Sequence, residues 1–147
     1  MSVHITGGAA DIIITDDLVK KTYHLSDDNM PNWTQRCITT ELTILNLLDG
    51  TKGFPKIIDV VEDAPDYIIV MQNLGKTIED VKYSQDMFKK ILRNVAILHA
   101  HNIVHNDIKL PNILIDKNED ISIIDFSHSS IMAFHNSDTK FPTLNNN

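Results

Sequence analysis

The 147-residue sequence predicts an α+β fold, and three observations carry that prediction. Short β-branched runs joined by acidic or polar turns are typical of antiparallel strands. Two segments with apolar residues at helical spacing lie among these runs and do not alternate regularly with them. The hydrophobic fraction of 42% is large enough for a packed core. Strands and helices in this order favour α+β over a doubly wound parallel sheet.

Six short apolar runs predict the strands. They lie at residues 12–14, 18–19, 57–61, 67–71, 113–115 and 121–124. The first two flank Asp16-Asp17, the next two flank residues 63–66, and the last two flank the polar residues 117–120. Two apolar runs around a short acidic or polar turn predict a hairpin, so we expect three strand pairs.

The first predicted helix starts near Asn32, a favourable N-cap residue, and ends at Asp49-Gly50. Its apolar residues repeat at helical spacing and are Ile38, Leu42, Leu45 and Leu48. At about 100° per residue, Glu41 falls inside the same apolar arc. A carboxylate facing a core requires a cationic or hydrogen-bonding partner, so Glu41 is expected to have one.

The second predicted helix follows Ser84, a favourable N-cap residue, and runs to about Asn102. Asp86 lies in its first turn, where the helix dipole favours negative charge. One face is lined by Phe88, Ile91, Leu92, Val95 and Leu98. The spacing therefore predicts one apolar face along this helix.

Composition excludes several classes of function. The net charge of −7 argues against binding to nucleic-acid phosphates. Cys37 is the single cysteine, so no intramolecular disulfide is expected and a reducing compartment is the default. The N-terminus does not resemble a signal peptide, and no apolar run approaches the roughly 18 residues of a membrane span. The expected localisation is therefore intracellular, in the cytoplasm or also in the nucleus, without a membrane partner.

The most informative segment is His105-Asn106-Asp107-Ile108-Lys109-Leu110-Pro111-Asn112, followed thirteen residues later by Asp125-Phe126-Ser127. It strongly resembles the catalytic loop of protein kinases, H-R-D-x-K-x-x-N, with a D-F-G-like triplet after an intervening hairpin. The resemblance implies a protein-kinase-like fold: an antiparallel β-sheet lobe with one helix of the αC type, then the first part of a helical lobe. It also implies ATP and Mg²⁺ as cofactors.

The resemblance assigns a role to each polar residue of these motifs. Asp107 would accept or orient the proton of the substrate hydroxyl, and Lys109 would offset charge on the transferred phosphoryl group. Asn112 and Asp125 would hold Mg²⁺, which prefers oxygen ligands. The catalytic residues are thus expected to be Asp107 and Lys109.

A kinase also needs a strand lysine paired with a helix glutamate, and Glu41 fits the second role. Lys20, two residues after Leu18, is expected to be the lysine that faces the nucleotide. Lys21 is the alternative, because a shift of one residue in the strand would exchange the two side chains. Either pairing would give Glu41 the partner that its apolar surroundings demand.

The resemblance also implies further nucleotide contacts. Gly7-Gly8 stands where the family places its glycine-rich phosphate loop, although two adjacent glycines usually mark only a turn. Residues from Tyr67 onwards resemble the strand and hinge that contact adenine. Met71 would be the gatekeeper, and Gln72 to Leu74 would offer backbone hydrogen bonds.

The resemblance covers nearly the whole chain but only the first part of the family's domain. We expect one incomplete domain over residues 1–147, with the sheet lobe and hinge in 1–73 and the start of the helical lobe in 74–147. The chain ends within the activation segment, and no Ala-Pro-Glu motif follows the triplet. Asn106 replaces the family's arginine and Ser127 its glycine.

These motifs leave three functions open. The leading one is a Ser/Thr protein kinase, because Lys109 lies two residues after Asp107 as in that class. A kinase-like small-molecule phosphotransferase, similar to the aminoglycoside and choline kinases, is the second. A non-catalytic truncated module that binds nucleotide or a partner kinase is the third. The expected partners are ATP and either a protein substrate or a partner kinase.

Overall fold

The computed structural model describes residues 1–7, 10–25 and 31–132, which form two α-helices and three β-sheets. In chain order the elements are β1 (Val3–Thr6), β2 (Asp11–Ile14), β3 (Leu18–His24), α1 (Pro31–Leu47), β4 (Ile57–Asp63), β5 (Asp66–Gln72), β6 (Lys76–Thr77), α2 (Gln85–Ala100), β7 (Ile103–Val104), a 3₁₀ turn (Leu110–Asn112), β8 (Ile113–Ile115), β9 (Ile121–Ile123) and β10 (Ser130–Ile131).

The largest sheet is antiparallel and has the strand order β1-β2-β3-β5-β4. The three predicted strand pairs are confirmed as β2–β3, β4–β5 and β8–β9. The sequence did not predict β1, a short edge strand whose four residues are all exposed. It also missed β6, β7 and β10, which have two residues each and so carry almost no pattern.

The pairing of β3 with β5 decides which side chains of β3 face the core. Directly paired residues share one face of a sheet. Val19, Lys21 and Tyr23 lie opposite Met71, Ile69 and Tyr67. Ile69 and Tyr23 are fully buried, so this is the inner face, and Lys21 is 6% exposed on it. Lys20 lies on the other face and is exposed.

Helix α1 begins at Pro31. Asn32 therefore lies in the first turn of the helix, and the prediction that it is the N-cap residue is wrong. Proline is favoured at the start of a helix because the first N–H groups have no partner within the helix. The predicted apolar arc is otherwise observed. Ile38 and Leu45 are 1% exposed, and Glu41 within the same arc is also 1% exposed.

Helix α2 is capped as predicted, since Ser84 Oγ accepts a hydrogen bond of 3.1 Å from the backbone N–H of Met87. Its predicted apolar face is buried only in part. Leu98 is 1% exposed, whereas Phe88 and Leu92 are 56% and 51% exposed. The helical period correctly groups these side chains, but no described element covers the two exposed ones.

One cluster of buried apolar side chains connects the five-stranded sheet to α1, α2 and β9. Its members include Tyr23, Ile44, Ile69, Leu98 and Phe126. A smaller cluster fills the space between α2 and the sheet β6-β8-β9. Neither helix of the described residues is long and apolar enough to cross a membrane.

Gly75 provides a test of the junction between β6 and β8. Its φ is +119°, and a β-carbon there would overlap the carbonyl oxygen of Ile115. We expect Gly75→Ala to lower the free energy of unfolding by at least about 2 kcal/mol, from backbone strain and the clash together. Equilibrium unfolding in urea measures this loss.

Gly50→Ala is the matched control, because Gly50 also has a positive φ of +75° but has open space where a β-carbon would lie. We expect it to cost about 1 kcal/mol from backbone strain alone. Equal losses for the two variants would show that the predicted clash at Ile115 is absorbed without cost.

Candidate active site

A buried ion pair joins β3 to α1. Lys21 Nζ lies 2.8 Å from Glu41 Oε2, and the two side chains are 8% and 1% exposed. The prediction that Lys20 faces the site is therefore wrong, and the alternative, Lys21, occupies the position. The reason is the register of β3 against β5, which turns Lys21 inward and leaves Lys20 in solvent.

Tyr23, which the sequence did not indicate as a site residue, also binds Glu41. Its hydroxyl donates a hydrogen bond of 2.6 Å to Glu41 Oε2. Burial raises the pKa of Tyr23 and Glu41 raises it further, so the hydroxyl stays protonated and remains a donor. Alternation along the strand could have indicated Tyr23, because residues two apart share one face and Tyr23 follows Lys21 by two.

The ammonium of Lys21 remains charged in this setting. Burial alone would lower the pKa of Lys21, but the attraction of Glu41 and other neighbours outweighs it and raises the pKa. A second ion-pair partner of Lys21 is Asp125, whose Oδ1 lies 3.1 Å from Lys21 Nζ. Lys21 thus links a strand, a helix and the segment after β9.

Asp125 is held by two donors to one oxygen. Oδ1 accepts hydrogen bonds from Lys21 and, at 2.7 Å, from the hydroxyl of Ser127. Burial acts to raise the pKa of Asp125, but Lys21 and Ser127 together lower it to about 2. The carboxylate is therefore ionised at neutral pH. Its backbone φ is +66°, a left-handed conformation that aspartate tolerates better than most residues.

The loop after β7 and the 3₁₀ turn that follows it bring a second set of polar side chains together. Asn112 Nδ2 donates to both Oδ2 and the carbonyl oxygen of Asp107, each at 3.0 Å. Lys109 Nζ lies 2.9 Å from the same Oδ2. This hydrogen bond to Asp107 raises the pKa of the exposed Lys109, so a cation stands beside the carboxylate.

His105 forms hydrogen bonds that hold this loop in place. Its Nδ1 accepts from the backbone N–H of Asp107 at 3.2 Å, and its Nε2 lies 2.9 Å from the carbonyl of Ile124. Burial lowers the pKa of His105, so the ring is neutral with its proton on Nε2. The ring packs edge-on against Phe126, with 5.0 Å between centroids. His105 therefore connects the Asp107 loop to the Asp125 segment.

The polar atoms around Asn112 and Asp125 fit a hard divalent cation. The backbone N–H of Ile124 donates to the Asn112 carbonyl at 3.0 Å, which holds the two segments side by side. Both amide protons of Asn112 are used by Asp107. Its side-chain oxygen and the Asp125 carboxylate are thus the groups suited to a cation, and hard cations prefer such oxygens. The described residues hold no cluster of three or more His, Cys, Asp or Glu with metal-site geometry.

The predicted hinge residues are the last two residues of β5 and the segment that follows it, and the structure limits which of their atoms can contact a ligand. Met71 is 7% exposed on the same sheet face as Lys21. The N–H groups of Gln72 and Asn73 already donate to Lys56 and Asp17, at 3.0 and 2.9 Å. The Leu74 N–H makes no hydrogen bond within the described part of the chain.

The predicted glycine-rich loop is described only at its start. Gly7 begins the turn between β1 and β2, where its N–H donates to the Ala10 carbonyl at 3.1 Å. A β-carbon on Gly7 would lie 2.8 Å from that same oxygen, so the turn requires glycine. Gly8 lies outside the described residues.

This arrangement matches a known family. The model of the protein kinase domain matches residues 16–145. The chain belongs to the protein kinase family. Kinases of this family use ATP with a divalent metal ion, which agrees with the lysine, carboxylate and amide groups that the fold brings together.

Curated relatives of this kinase chain include three fungal enzymes. It is 31% identical over 105 residues to the carbon catabolite-derepressing protein kinase of Saccharomyces cerevisiae and 37% identical over 94 residues to that of Candida albicans. It is 32% identical over 101 residues to the serine/threonine-protein kinase oca2 of Schizosaccharomyces pombe. These matches cover 65%, 61% and 67% of this chain but only 16%, 14% and 15% of the relatives.

Solved structures with a similar fold include WbdD, described as a bifunctional kinase-methyltransferase. A crystal structure of WbdD at 2.2 Å aligns with a TM-score of 0.73 and 16% identity, covering 89% of this chain and 33% of WbdD. A second WbdD structure aligns with a TM-score of 0.71 and 17% identity, covering 85% and 31%. At this identity the likeness supports the kinase fold alone.

The buried pair predicts that substitution of Lys21 lowers the free energy of unfolding much more than substitution of Lys20. Lys21→Met leaves Glu41 buried without a counter-charge, so we expect the free energy of unfolding to fall by about 3 kcal/mol or more. Lys20→Met, the matched control, removes an exposed charge and should change it by less than about 0.5 kcal/mol. Urea unfolding without nucleotide tests both, and the reverse order would refute the strand register.

The low pKa of Asp125 predicts an acid-side loss of stability. A carboxyl group with a folded-state pKa of about 2 and an unfolded value near 3.9 stabilises the fold above pH 4. That contribution disappears as the pH falls towards 2. Asp125→Asn keeps the left-handed backbone but cannot ionise, so its stability should fall less between pH 5 and pH 2.5. Parallel slopes for wild type and variant in urea titrations would contradict the assignment.

Proposed function

We propose that this chain binds ATP with Mg²⁺ and transfers the γ-phosphoryl group to a serine or threonine hydroxyl of a protein. The observation that carries the proposal is the convergence on one site of the buried Lys21–Glu41 pair, its partly exposed neighbour Asp125, and the Asp107–Asn112–Lys109 cluster. Phosphoryl transfer depends mainly on positioning and on neutralising charge, and these two clusters supply both.

In this proposal each cluster has a separate task. Lys21, held by Glu41 and charged, binds phosphate oxygens of the nucleotide. Asn112 and Asp125 hold Mg²⁺, which when bound neutralises charge on the phosphates. Asp107 orients the substrate hydroxyl and takes up its proton, because its carboxylate is fixed by Asn112. Lys109 stands beside Asp107 and stabilises charge on the transferred group.

The adenine ring is proposed to lie between residues 1–73 and the segment from residue 74 onwards. Met71 would border its pocket on the inner face of β5. Because Gln72 and Asn73 have already donated their N–H groups, the remaining donor in this hinge is the N–H of Leu74. Carbonyl oxygens of Gln72 and Leu74 would accept from the adenine amino group. Gly7, with Gly8, would cover the phosphates.

A protein substrate is supported by two observations. Lys109 lies two residues after Asp107, which resembles the Ser/Thr protein kinases and not the small-molecule phosphotransferases. A relative that is 32% identical is named a serine/threonine-protein kinase. The alternatives, a small-molecule phosphotransferase and a non-catalytic module, make different predictions in the following experiment.

Thermal unfolding with ATP and Mg²⁺, and with ATP and a chelator, tests nucleotide binding. Ligand at about 100 times its Kd should add roughly 2.7 kcal/mol, a rise of several degrees in Tm for a domain of this size. The rise should require Mg²⁺ and should vanish in Asp125→Asn. A cooperative transition with no shift would refute nucleotide binding and favour the partner-binding module.

Transfer of labelled γ-phosphate to a mixed Ser/Thr peptide library tests the reaction. Asp107→Asn is the matched variant: it should keep the Tm rise with Mg-ATP but lower kcat at least about 100-fold, because the group that takes the proton is lost. Transfer to small polar alcohols but not to peptides would refute the substrate class. An unchanged kcat in Asp107→Asn would refute the role given to this carboxylate.

A further inference from the structure

Ser127 occupies the position where the family's triplet has glycine, and its hydroxyl has two partners. It donates to Asp125 Oδ1 at 2.7 Å and lies 3.1 Å from His128 Nδ1. Ser127 is 7% exposed, whereas His128 is exposed. A buried hydroxyl that donates to a carboxylate in this way restricts the side-chain rotation of that carboxylate.

The second partner leads back to helix α1. The His128 ring contacts the indole of Trp33, with 5.7 Å between the ring centroids. Trp33 lies near the start of α1, and Glu41 lies further along the same helix. Two series of contacts therefore connect helix α1 to Asp125. One runs from Glu41 to Lys21, and the other runs from Trp33 through His128 to Ser127.

We propose that Ser127 is a positioning residue that fixes the carboxylate of Asp125 for the divalent cation, with His128 and Trp33 supporting its hydroxyl. This inference rests on the proposed function. Lys21 and Ser127 both bind Oδ1, so the other carboxylate oxygen, Oδ2, is used by neither of these two donors. A glycine at position 127 could not supply the hydroxyl, so this support belongs to the present chain.

Affinity for Mn²⁺, measured with a saturating non-hydrolysable ATP analogue, tests the proposal without turnover. We expect Ser127→Ala to weaken Mn²⁺ binding by ~10-fold, the usual effect of removing a group that orients a metal ligand. Affinity for the analogue in chelator should change less than ~2-fold, because the Lys21–Glu41 pair is untouched. Ser127→Thr keeps the hydroxyl and should restore most of the Mn²⁺ affinity.

Ser129→Ala is the matched control, since it removes a hydroxyl two residues away that donates to the His105 carbonyl and not to Asp125. It should change Mn²⁺ affinity by less than ~2-fold. His128→Ala alters an exposed residue and so preserves the fold. It should weaken Mn²⁺ binding by ~3-fold and shift the emission of Trp33, the single tryptophan, in the free protein.

Mn²⁺ affinity within ~2-fold of wild type in both Ser127→Ala and His128→Ala overturns the proposal. An equal loss in Ser129→Ala, or a folded Ser127→Thr that restores nothing, also overturns it, because the effect would not belong to the hydroxyl. If Ser127→Ala does not fold, the Mn²⁺ affinity of His128→Ala alone decides whether the proposal stands. If the wild-type chain does not bind the Mn²⁺–analogue complex at all, the proposed function fails together with this inference.

Discussion

The rest of the site depends on the ion pair between Lys21 and Glu41. Two charges with side-chain exposures of 8% and 1% require each other, because removing either leaves the other uncompensated in a poorly solvated interior. Tyr23 binds the same carboxylate oxygen, and Asp125 binds the same ammonium. The pair therefore fixes β3, α1 and the segment after β9 relative to one another. The orientation and the charge of Lys21 are therefore set by its neighbours in the fold.

Backbone conformation at two residues positions the carboxylates around that pair. Asn106 and Asp125 both have a φ of +66°, which costs a non-glycine residue roughly 1–2 kcal/mol. Asparagine and aspartate bear this cost better than other side chains, and here each also gains hydrogen bonds. The Asn106 amide donates to the His128 carbonyl at 3.1 Å and to Ser130 Oγ at 2.8 Å. The strained positions are thus stabilised by contacts between the two segments that they join.

The strand pairs and both helices could be predicted, because each is a local pattern of apolar residues and turns. Residues Asp107, Lys109 and Asn112 could also be singled out, because they lie in one short motif that resembles the kinase catalytic loop. The register of β3 could not be predicted. In Leu18-Val19-Lys20-Lys21 an apolar residue stands two positions before each lysine, so the alternation of a strand is compatible with either lysine facing the core. Pairing with β5, distant in sequence, decides between them. The contact of Ser127 with Asp125 depends on side-chain rotation, for which the sequence carries no signal.

The two departures from the family's motifs, Asn106 and Ser127, act on the same stretch of chain. Asn106 contributes two hydrogen bonds between neutral groups, worth about 1 kcal/mol apiece, and Ser127 contributes one to the charged Asp125 carboxylate, worth about 2 kcal/mol. The pairing of β7 with β10 holds this stretch as well. The charged contacts of the site are made by Lys21, which binds Glu41 and Asp125, and by Lys109, which binds Asp107. The neutral amide of Asn106 and the neutral hydroxyl of Ser127 fix the backbone without adding to that charge. Charge neutralisation and backbone positioning are therefore carried by different residues in this kinase chain.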